Sequence, residues 1–217
     1  YQNDGEVVLV RHHDQNIKLI EEHDMPVLLY NRRPSEYDES AVTCDHPASG
    51  QMKGKRLLAP GCSPFGLIQG PEASSVALER LTGLYETLTS GGIDDKDIRS
   101  SHGDFSYESG SRAASELLGV DGELPNAIIA ANDMMALGAI DYVRHVARID
   151  VPAQMSVVGF DGIGATQWRS FQLTTVRQPI RRMAEATISV LRDRIKDPTR
   201  VTELRVLPGA IVEGETG

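Results

Sequence analysis

The stretch MSVVGFDGIGA, residues 155–165, joins a short apolar run to a carboxylate flanked by glycines. The apolar run predicts a buried strand, and Asp161 stands where that strand would emerge from its sheet. The glycines follow the spacing G-x-x-G-x-G rather than the dinucleotide fingerprint, and a carboxylate in the loop would repel a bound pyrophosphate. Two hypotheses for Asp161 stay open from these residues alone: it caps a turn, or it accepts hydrogen bonds from the hydroxyl groups of a ligand.

On both sides of this stretch, short apolar runs alternate with amphipathic segments. The runs that predict strands lie at 6–10, 26–30, 41–45, 65–69, 98–101, 127–131, 156–160 and 173–176, and an extended tail follows at 204–212. Helices are predicted over 17–22, 49–58, 75–88, 107–118, 132–145 and 180–195. This alternation is typical of parallel sheets covered by helices, which bind ligands at the carboxyl ends of their strands. The polar residues predicted at such ends are Asn31, Asp104, Asn132 and Asp161.

Two of the predicted helices have a recognisable apolar face. In the helix at 75–88 this face is predicted to consist of Leu78, Leu81, Leu84, Tyr85 and Leu88. In the helix at 180–195 it is predicted to consist of Ile180, Met183, Ala184, Thr187, Ile188, Leu191 and Ile195. Because an amphipathic helix turns its apolar face to the core, both sets are predicted to be buried.

The composition is that of a globular protein, with 217 residues, 40% of them hydrophobic, and a formal net charge of -9. This length allows one large domain or two small lobes, and the negative charge argues against binding of a nucleic-acid backbone by this stretch itself. No window approaches the roughly 18 apolar residues of a membrane span. Cys44 and Cys62 are expected to be reduced thiols in a cytoplasmic protein, and nothing supports a disulfide between them.

Catalytic and metal-binding patterns do not stand out in the sequence. We find no nucleophile elbow, no Ser-His-Asp order and no paired-carboxylate arrangement. His12 and His13 are adjacent, and adjacent side chains of a strand point to opposite faces, so they are not expected to chelate one ion. We therefore expect a protein that is not an enzyme and that uses neither a metal nor a cofactor.

Three further residues have two interpretations each. Arg80 lies in the first turns of a predicted helix, off its apolar face, where it would form a surface salt bridge or clamp a ligand with two hydrogen bonds. Phe105 and Trp168 lie in predicted loops. Loop aromatics often serve local packing, and they also stack on sugars or bases in binding clefts.

Three blocks, in their order and spacing, resemble one known family: AIIAANDMMALGAID (127–141), MSVVGFDGIG (155–164) and LTTVRQP (173–179). They are similar to the effector-binding domain of the lactose-repressor/galactose-repressor (LacI-type) transcription regulators. Weaker blocks that fit the same pattern are GPEASSVALERLTG (70–83), GDFSYESG (103–110), PVLLYNRRP (26–34) and NDGEVVL (3–9). The resemblance covers nearly the whole chain.

The resemblance implies an α/β fold of the type I periplasmic-binding-protein-like kind, in which two doubly wound parallel-sheet lobes are joined by three crossings. The crossings are expected near Thr43, Arg177 and Leu207. On that basis 1–42 plus 178–206 would form the N-terminal lobe, and 43–177 plus 207–217 the C-terminal lobe. NDGEVVL corresponds to the third N-lobe strand of the family, so the N-lobe is expected to be incomplete here, without its first strands. The DNA-binding helix-turn-helix is expected to be absent from this chain as well.

The family's usual effector contacts, carried over through the resemblance, fall in both lobes. They map onto Asn31 and Arg32 in the first lobe, and onto Ser74, Val76, Arg80, Phe105, Asn132 and Asp161 in the second. In these roles Arg80 and Asp161 would contact hydroxyls from opposite sides, and Phe105 would cover an apolar ring face. This set favours a sugar or a related polyol. Leu78 departs from the family, in which many relatives carry a basic or small polar residue at that position.

The resemblance therefore predicts the effector-binding and dimerisation module of a transcriptional regulator, most simply a repressor. A small sugar-like effector would bind in the interlobe cleft and change the affinity for operator DNA, which an upstream segment outside this chain would contact. A cytoplasmic homodimer without membrane contact is expected. The alternative is an extracytoplasmic sugar-binding protein of a transporter, which shares the fold and the class of ligand.

Overall fold

The computed structural model describes residues 6–8, 26–33, 39–58, 63–120 and 122–217. The strands are β1 (Glu6–Val8), β2 (Val27–Tyr30), β3 (Ser40–Cys44), β4 (Phe65–Gln69), β5 (Ile98–His102), β6 (Ala127–Ala130), β7 (Ser156–Asp161), β8 (Thr174–Arg177), β9 (Leu204–Leu207) and β10 (Ala210–Val212). The helices are α1 (His46–Leu57), α2 (Ser75–Ser90), α3 (Tyr107–Leu118), α4 (Asp133–Asp141) and α5 (Ile180–Lys196), and a π turn (Tyr142–Val146) follows α4. The predicted helix at 17–22, the His12–His13 pair and Cys62 lie outside these residues. Of the strand predicted at 6–10, residues 6–8 are described and form β1. The remaining predicted strands and helices are confirmed, and the helix predicted from Ser49 begins at His46.

The chain forms two compact units, which are described separately. Unit 1 consists of Tyr1–Asp45 and Pro179–Pro208, and unit 2 of His46–Gln178 and Gly209–Gly217. In unit 1, a parallel four-stranded sheet has the order β1-β2-β3-β9 over its described residues. In unit 2, a six-stranded sheet has the order β10-β8-β7-β6-β4-β5, and its pairs are parallel except for β10 with β8.

Helix α5 of unit 1 buries a different stripe from the one predicted. Met183, Thr187 and Val190 are buried at the spacing i, i+4 and i+7, where the helix contacts β2 and β3. Ile180 and Ile188, which the prediction placed on the buried face, are 52% and 66% exposed. At about 100° per residue, Ile188 lies roughly 140° around the helix from Met183. The predicted face was therefore too wide: it included apolar residues that lie away from β2 and β3, whereas only those that face these two strands are buried.

The sheet of unit 2 is covered on both faces, as a doubly wound fold requires. Ile128 and Val157 belong to an apolar cluster completed by residues of α3 and α4. Ile129 and Val158, their neighbours in sequence, belong to a second cluster completed by residues of α1 and α2. Successive residues of a strand point to opposite faces, so each strand supplies both clusters. Burial of each such side chain stabilises the fold by about 1.5–3 kcal/mol.

Helix α2 turns Arg80 rather than Leu78 toward the interior. Ala77, Arg80, Leu84 and Leu88 are buried, whereas Leu78 is 52% exposed. The prediction was therefore wrong for Leu78. The reason is that α2 packs on α1 at glycine positions of both helices, where the two backbones come into contact. This contact determines which side of α2 is buried, independently of where its leucines lie.

Replacement of Gly83 by alanine tests this close packing of α1 and α2. A Cβ atom at Gly83 would lie 2.0 Å from the carbonyl oxygen of Pro47, which is backbone and cannot turn aside. We expect Gly83→Ala to lower the free energy of unfolding by about 3 kcal/mol, measured by urea denaturation. Gly164→Ala is the control, because nothing lies within 4 Å of its added Cβ, and it should change stability by less than about 0.5 kcal/mol. Equal stabilities of the two variants would show that the helices are not in backbone contact.

Candidate functional site

Unit 2 brings four of the candidate residues to one edge of its sheet. Strands β4, β5, β6 and β7 are parallel and end at this edge, where they are followed or terminated by Ser74, Phe105, Asn132 and Asp161 respectively. Strands β5 and β6 lie on opposite sides of β4, so the connections that leave this edge diverge there. Such a topological switch point opens the crevice in which doubly wound sheets bind ligands.

Asp161 ends β7 in a backbone conformation that side chains rarely adopt, with a φ of 130°. Arg80 Nη2 and Gln178 Nε2 both donate to its Oδ1, at 3.0 and 2.7 Å. The backbone N–H of Gln178 donates to the carbonyl oxygen of Asp161 at 3.1 Å. The side chain of Asp161 is 26% exposed. A strained residue held by this many contacts is typical of a ligand site, and here it provides a fixed, partly exposed acceptor.

Arg80 is 4% exposed, so it is not a helix-surface residue. Its Nε donates to His46 Nδ1 at 3.3 Å, its Nη1 to the carbonyl oxygen of Ala131 at 2.7 Å, and its Nη2 to Asp161. The guanidinium carbon lies 3.5 Å from the centroid of the Phe160 ring, a cation–π contact. Arg80 and Asp161 therefore contact each other here, and the guanidinium is occupied by protein groups rather than aimed at hydroxyls from the opposite side.

Ser74 and Asn132 cap helices at this edge. Ser74 Oγ accepts from the backbone N–H of Ala77 at 3.3 Å, and Asn132 Oδ1 accepts from that of Met135 at 3.0 Å. Asn132 Nδ2 donates to the carbonyl oxygen of Phe105 at 3.0 Å. Both side chains stabilise helix ends, as Ser and Asn caps do, and Asn132 also fastens the loop after β5 to the start of α4.

The aromatic candidates differ in their surroundings. Phe105 has a φ of 71°, and its half-buried ring occupies the space that a Cβ atom at Gly70 would need, at 2.6 Å. Its ring therefore has a packing role in this structure. Trp168 is 63% exposed, and its ring centroid lies 6.5 Å from that of Phe171. Val76 is half-buried in the first turn of α2.

Asp133 fixes the loop that follows Asp161. Its Oδ2 accepts from the backbone N–H groups of Gly162 and Ile163 at 2.7 and 2.9 Å, and its Oδ1 accepts from the Thr175 hydroxyl at 2.6 Å. Burial raises the pKa of the Asp133 carboxyl, and the hydrogen bonds from Thr175 and the loop oppose that rise. Sequence reasoning placed Asp133 only at the start of the helix predicted over 132–145, so its hydrogen bonds to the loop were missed.

Gln178, His46 and Phe160 are also residues that sequence reasoning missed. Gln178 lies inside the LTTVRQP block, yet its contact with Asp161 could not be inferred from the block alone. Its Oε1 is buried and has no hydrogen-bond partner in the part of the chain that the structure describes. His46 is buried at the start of α1, with its ring centroid 5.8 Å from that of Phe160. Their only sequence signal is polar or aromatic character beside a strand end.

Two candidate contacts belong to unit 1. Asn31 directly follows β2 with a φ of 58°, and its backbone N–H donates to the carbonyl oxygen of Val42 at 2.7 Å. Arg32 comes next and is half-buried. Both residues thus lie at the carboxyl end of a parallel strand, as the sequence predicted for Asn31.

The described ranges contain neither a candidate metal cluster nor a candidate membrane-spanning helix. No group of three or more His, Cys, Asp or Glu side chains within them could hold a metal ion. None of the helices found there has the length and apolar character that a membrane crossing requires. Cys44 is buried in β3.

A doubly wound sheet with fixed polar side chains at its switch point is the architecture of a small-molecule-binding α/β domain. Residues 55–216 match the family model of the periplasmic binding protein-like domain. The chain belongs to this family, and the predicted fold class is confirmed.

The relatives of this chain include HTH-type transcriptional regulators. The HTH-type transcriptional regulator CelR of Thermobifida fusca is 31% identical over 218 residues, which cover 99% of this chain and 63% of CelR. The HTH-type transcriptional repressor PurR of Aliivibrio salmonicida (strain LFI1238) is 27% identical over 174 residues, which cover 80% of this chain and 52% of PurR. A solved structure of a transcriptional regulator CelR–cellobiose complex matches with a TM-score of 0.89 and 29% identity, over 99% of this chain and 66% of that one. The resemblance to LacI-type regulators is confirmed, and the chain spans between 52% and 63% of the length of these curated relatives.

Proposed function

We propose that this chain is the effector-binding module of a LacI-type transcriptional regulator and that its effector is a small sugar. The observation that carries the proposal is the carboxylate of Asp161, which Arg80 and Gln178 hold at the switch point of unit 2. Because those two donors fix its direction before any ligand arrives, little entropy is lost when a hydroxyl group binds to it.

The chemistry of the edge favours a ligand rich in hydroxyl groups. Asp161 is a partly exposed acceptor, and the buried Oε1 of Gln178 is an acceptor that a ligand donor would satisfy. The positive charge of Arg80 is already balanced by Asp161 at 3.0 Å, which makes a strongly anionic ligand less suitable. The match to a regulator solved with cellobiose supports a sugar in this place.

The remaining parts of the proposal concern the whole regulator. Sugar binding would alter its affinity for operator DNA, contacted by a segment outside this chain, through a coupling free energy of about 1–3 kcal/mol. We further propose a cytoplasmic homodimer. In unit 2 the proposed ligand contacts are Ser74, Val76, Asn132 and Asp161, with Arg80 and Phe105 supporting them through protein contacts. Asn31 and Arg32 are the candidate contacts of unit 1. The regulators among its relatives favour this function over a transporter's sugar-binding protein.

A thermal-shift panel tests the proposed effector class. The panel contains cellobiose, other neutral sugars, sugar acids, sugar phosphates and purines, each added to the intact regulator. A sugar at 100 times its dissociation constant should stabilise the protein by about 2.7 kcal/mol, which corresponds to a rise in Tm of roughly 5–10 °C. Stabilisation by a purine or a sugar phosphate, without any effect of neutral sugars, would refute the sugar assignment.

A further inference from the structure

Helix α1 places a lysine inside unit 2. Lys53 is 2% exposed, although lysine is among the residues that are almost never fully buried without a partner. Lys55, two positions along the same helix, is exposed. The site described above makes no use of Lys53, so its burial requires an explanation of its own.

The ammonium group of Lys53 binds the end of strand β6. Its Nζ donates to the carbonyl oxygen of Ala130 at 3.1 Å, and Arg80 Nη1 donates to the next carbonyl, that of Ala131, at 2.7 Å. Two cations from two helices therefore bind consecutive carbonyl groups. The residue that follows them is Asn132, the cap of α4 and a candidate ligand contact.

The same two cations contact the end of strand β7. Lys53 Nζ lies 5.5 Å from the centroid of the Phe160 ring, and the guanidinium carbon of Arg80 lies 3.5 Å from it. Phe160 is completely buried and immediately precedes Asp161. Lys53 and Arg80 also line a small pocket beside the ends of β4 and β6, where Gln69 and Ala131 lie.

We propose that Lys53 is a positioning residue of the effector site: from α1 it holds the ends of β6 and β7, so that Asn132 and Asp161 keep the geometry that binds a ligand. The effect on ligand binding rests on the proposed function. The contacts of Lys53 with the two strand ends do not, because they involve protein groups alone.

Protonation of Lys53 makes this hold sensitive to pH. The charged and titratable groups around it are Arg80 from α2, Asp133 from the start of α4, Asp161 from β7 and His46 from its own helix, which contacts Arg80. Burial, aided by the charge of Arg80, lowers the pKa of Lys53 to about 7 from 10.5, while the two aspartates oppose this shift. Above that pH the lysine becomes neutral and loses its cation–π contact with Phe160, so sugar affinity is expected to fall as pH rises from 6 to 8.5.

Lys53→Met tests the positioning role without any ligand. Methionine has a similar length and no charge, so the protein is expected to fold with unchanged or higher Tm, since the cost of burying an ammonium group disappears. Amide hydrogen exchange in the intact protein should become about tenfold faster around 131–136 and 160–164, and remain unchanged elsewhere. Lys55→Met, on the exposed side of the same helix, is the matched control and should match the wild type. Unchanged exchange in both segments, or a uniform change throughout the protein, would overturn the proposal.

Calorimetric titration with cellobiose, or with the most stabilising sugar of the panel, tests the effect on binding. Lys53→Met should bind about tenfold more weakly than the wild type at pH 6 and show no dependence on pH, whereas the wild type and Lys55→Met should weaken between pH 6 and 8.5. Wild-type affinity of Lys53→Met at both pH values would contradict a role in binding. If no sugar binds even the wild type, the proposed function fails, and hydrogen exchange alone decides the role of Lys53.

Discussion

Asp161→Ala is expected to abolish the stabilisation by sugar while leaving the protein folded. The carboxylate is the fixed acceptor at the switch point, and Arg80 Nη2 and Gln178 Nε2 already direct its Oδ1. Truncation of one partner in a hydrogen-bonded charged contact costs about 2–5 kcal/mol, which weakens binding by roughly 30-fold or more. Isothermal titration of the sugar identified by the panel into wild type and variant measures this loss.

Two further variants make this result specific. Asp94→Ala removes a carboxylate that is 68% exposed and paired with Lys96, so its sugar affinity should equal that of the wild type. Asp161→Asn keeps an acceptor oxygen but lacks the charge, and should bind with intermediate affinity. Circular dichroism checks that Asp161→Ala is folded, as expected because Arg80 retains its contacts with Ala131 and Phe160. A folded Asp161→Ala with undiminished affinity would remove Asp161 from the site.

Arg80→Met is expected to cause the largest loss of stability among these variants. It removes the hydrogen bonds to His46, Ala131 and Asp161 and the contact with the ring of Phe160, all of them inside unit 2. Removal of this buried guanidinium takes one donor from each of two acceptors, on the buried His46 and on Ala131, and the cation from the partly exposed Asp161, which together cost about 3–5 kcal/mol. Urea denaturation followed by circular dichroism measures the change in the free energy of unfolding.

Arg112→Met is the matched control for Arg80→Met. Arg112 is 58% exposed and its Nε lies 3.8 Å from Glu116, so its loss should cost less than about 0.5 kcal/mol. Arg80→Lys should fail to restore the lost stability, because a lysine ammonium group cannot bind three separate acceptors in one plane. Full stability of Arg80→Lys would mean that charge alone, and not the planar guanidinium, matters at this position.

The fold was largely predictable because its signals are local. Alternating apolar runs and amphipathic segments predicted the order of strands and helices, and they placed Asn132 and Asp161 at strand ends. The failures concern helix faces: Leu78 and Ile188 are exposed although they are apolar and helically spaced. A sequence shows which residues are apolar, whereas the buried arc depends on the neighbouring element, here a glycine-mediated helix contact for α2 and two strands for α5.

The internal contacts of the site were not predictable, because they join distant parts of the chain. Arg80 and Asp161 are 81 positions apart, and only the fold reveals that their side chains meet. Lys53 gave no signal at all, since a lysine in an amphipathic helix is normally solvated. The positive φ of Phe105 was equally hidden, because a phenylalanine rarely adopts that conformation. Sequence reasoning thus located the edge of the sheet that carries the site. Tertiary packing determined which side chains contact each other there.

A crystal structure of the chain with the best-binding sugar tests the central claim most directly. We expect a hydroxyl group of the sugar within about 3 Å of a carboxylate oxygen of Asp161, while Arg80 and Gln178 keep their contacts with Oδ1. Sugar density that lies away from the strand ends of unit 2, with Asp161 contacting protein groups alone, would contradict the assignment of this edge as the effector site.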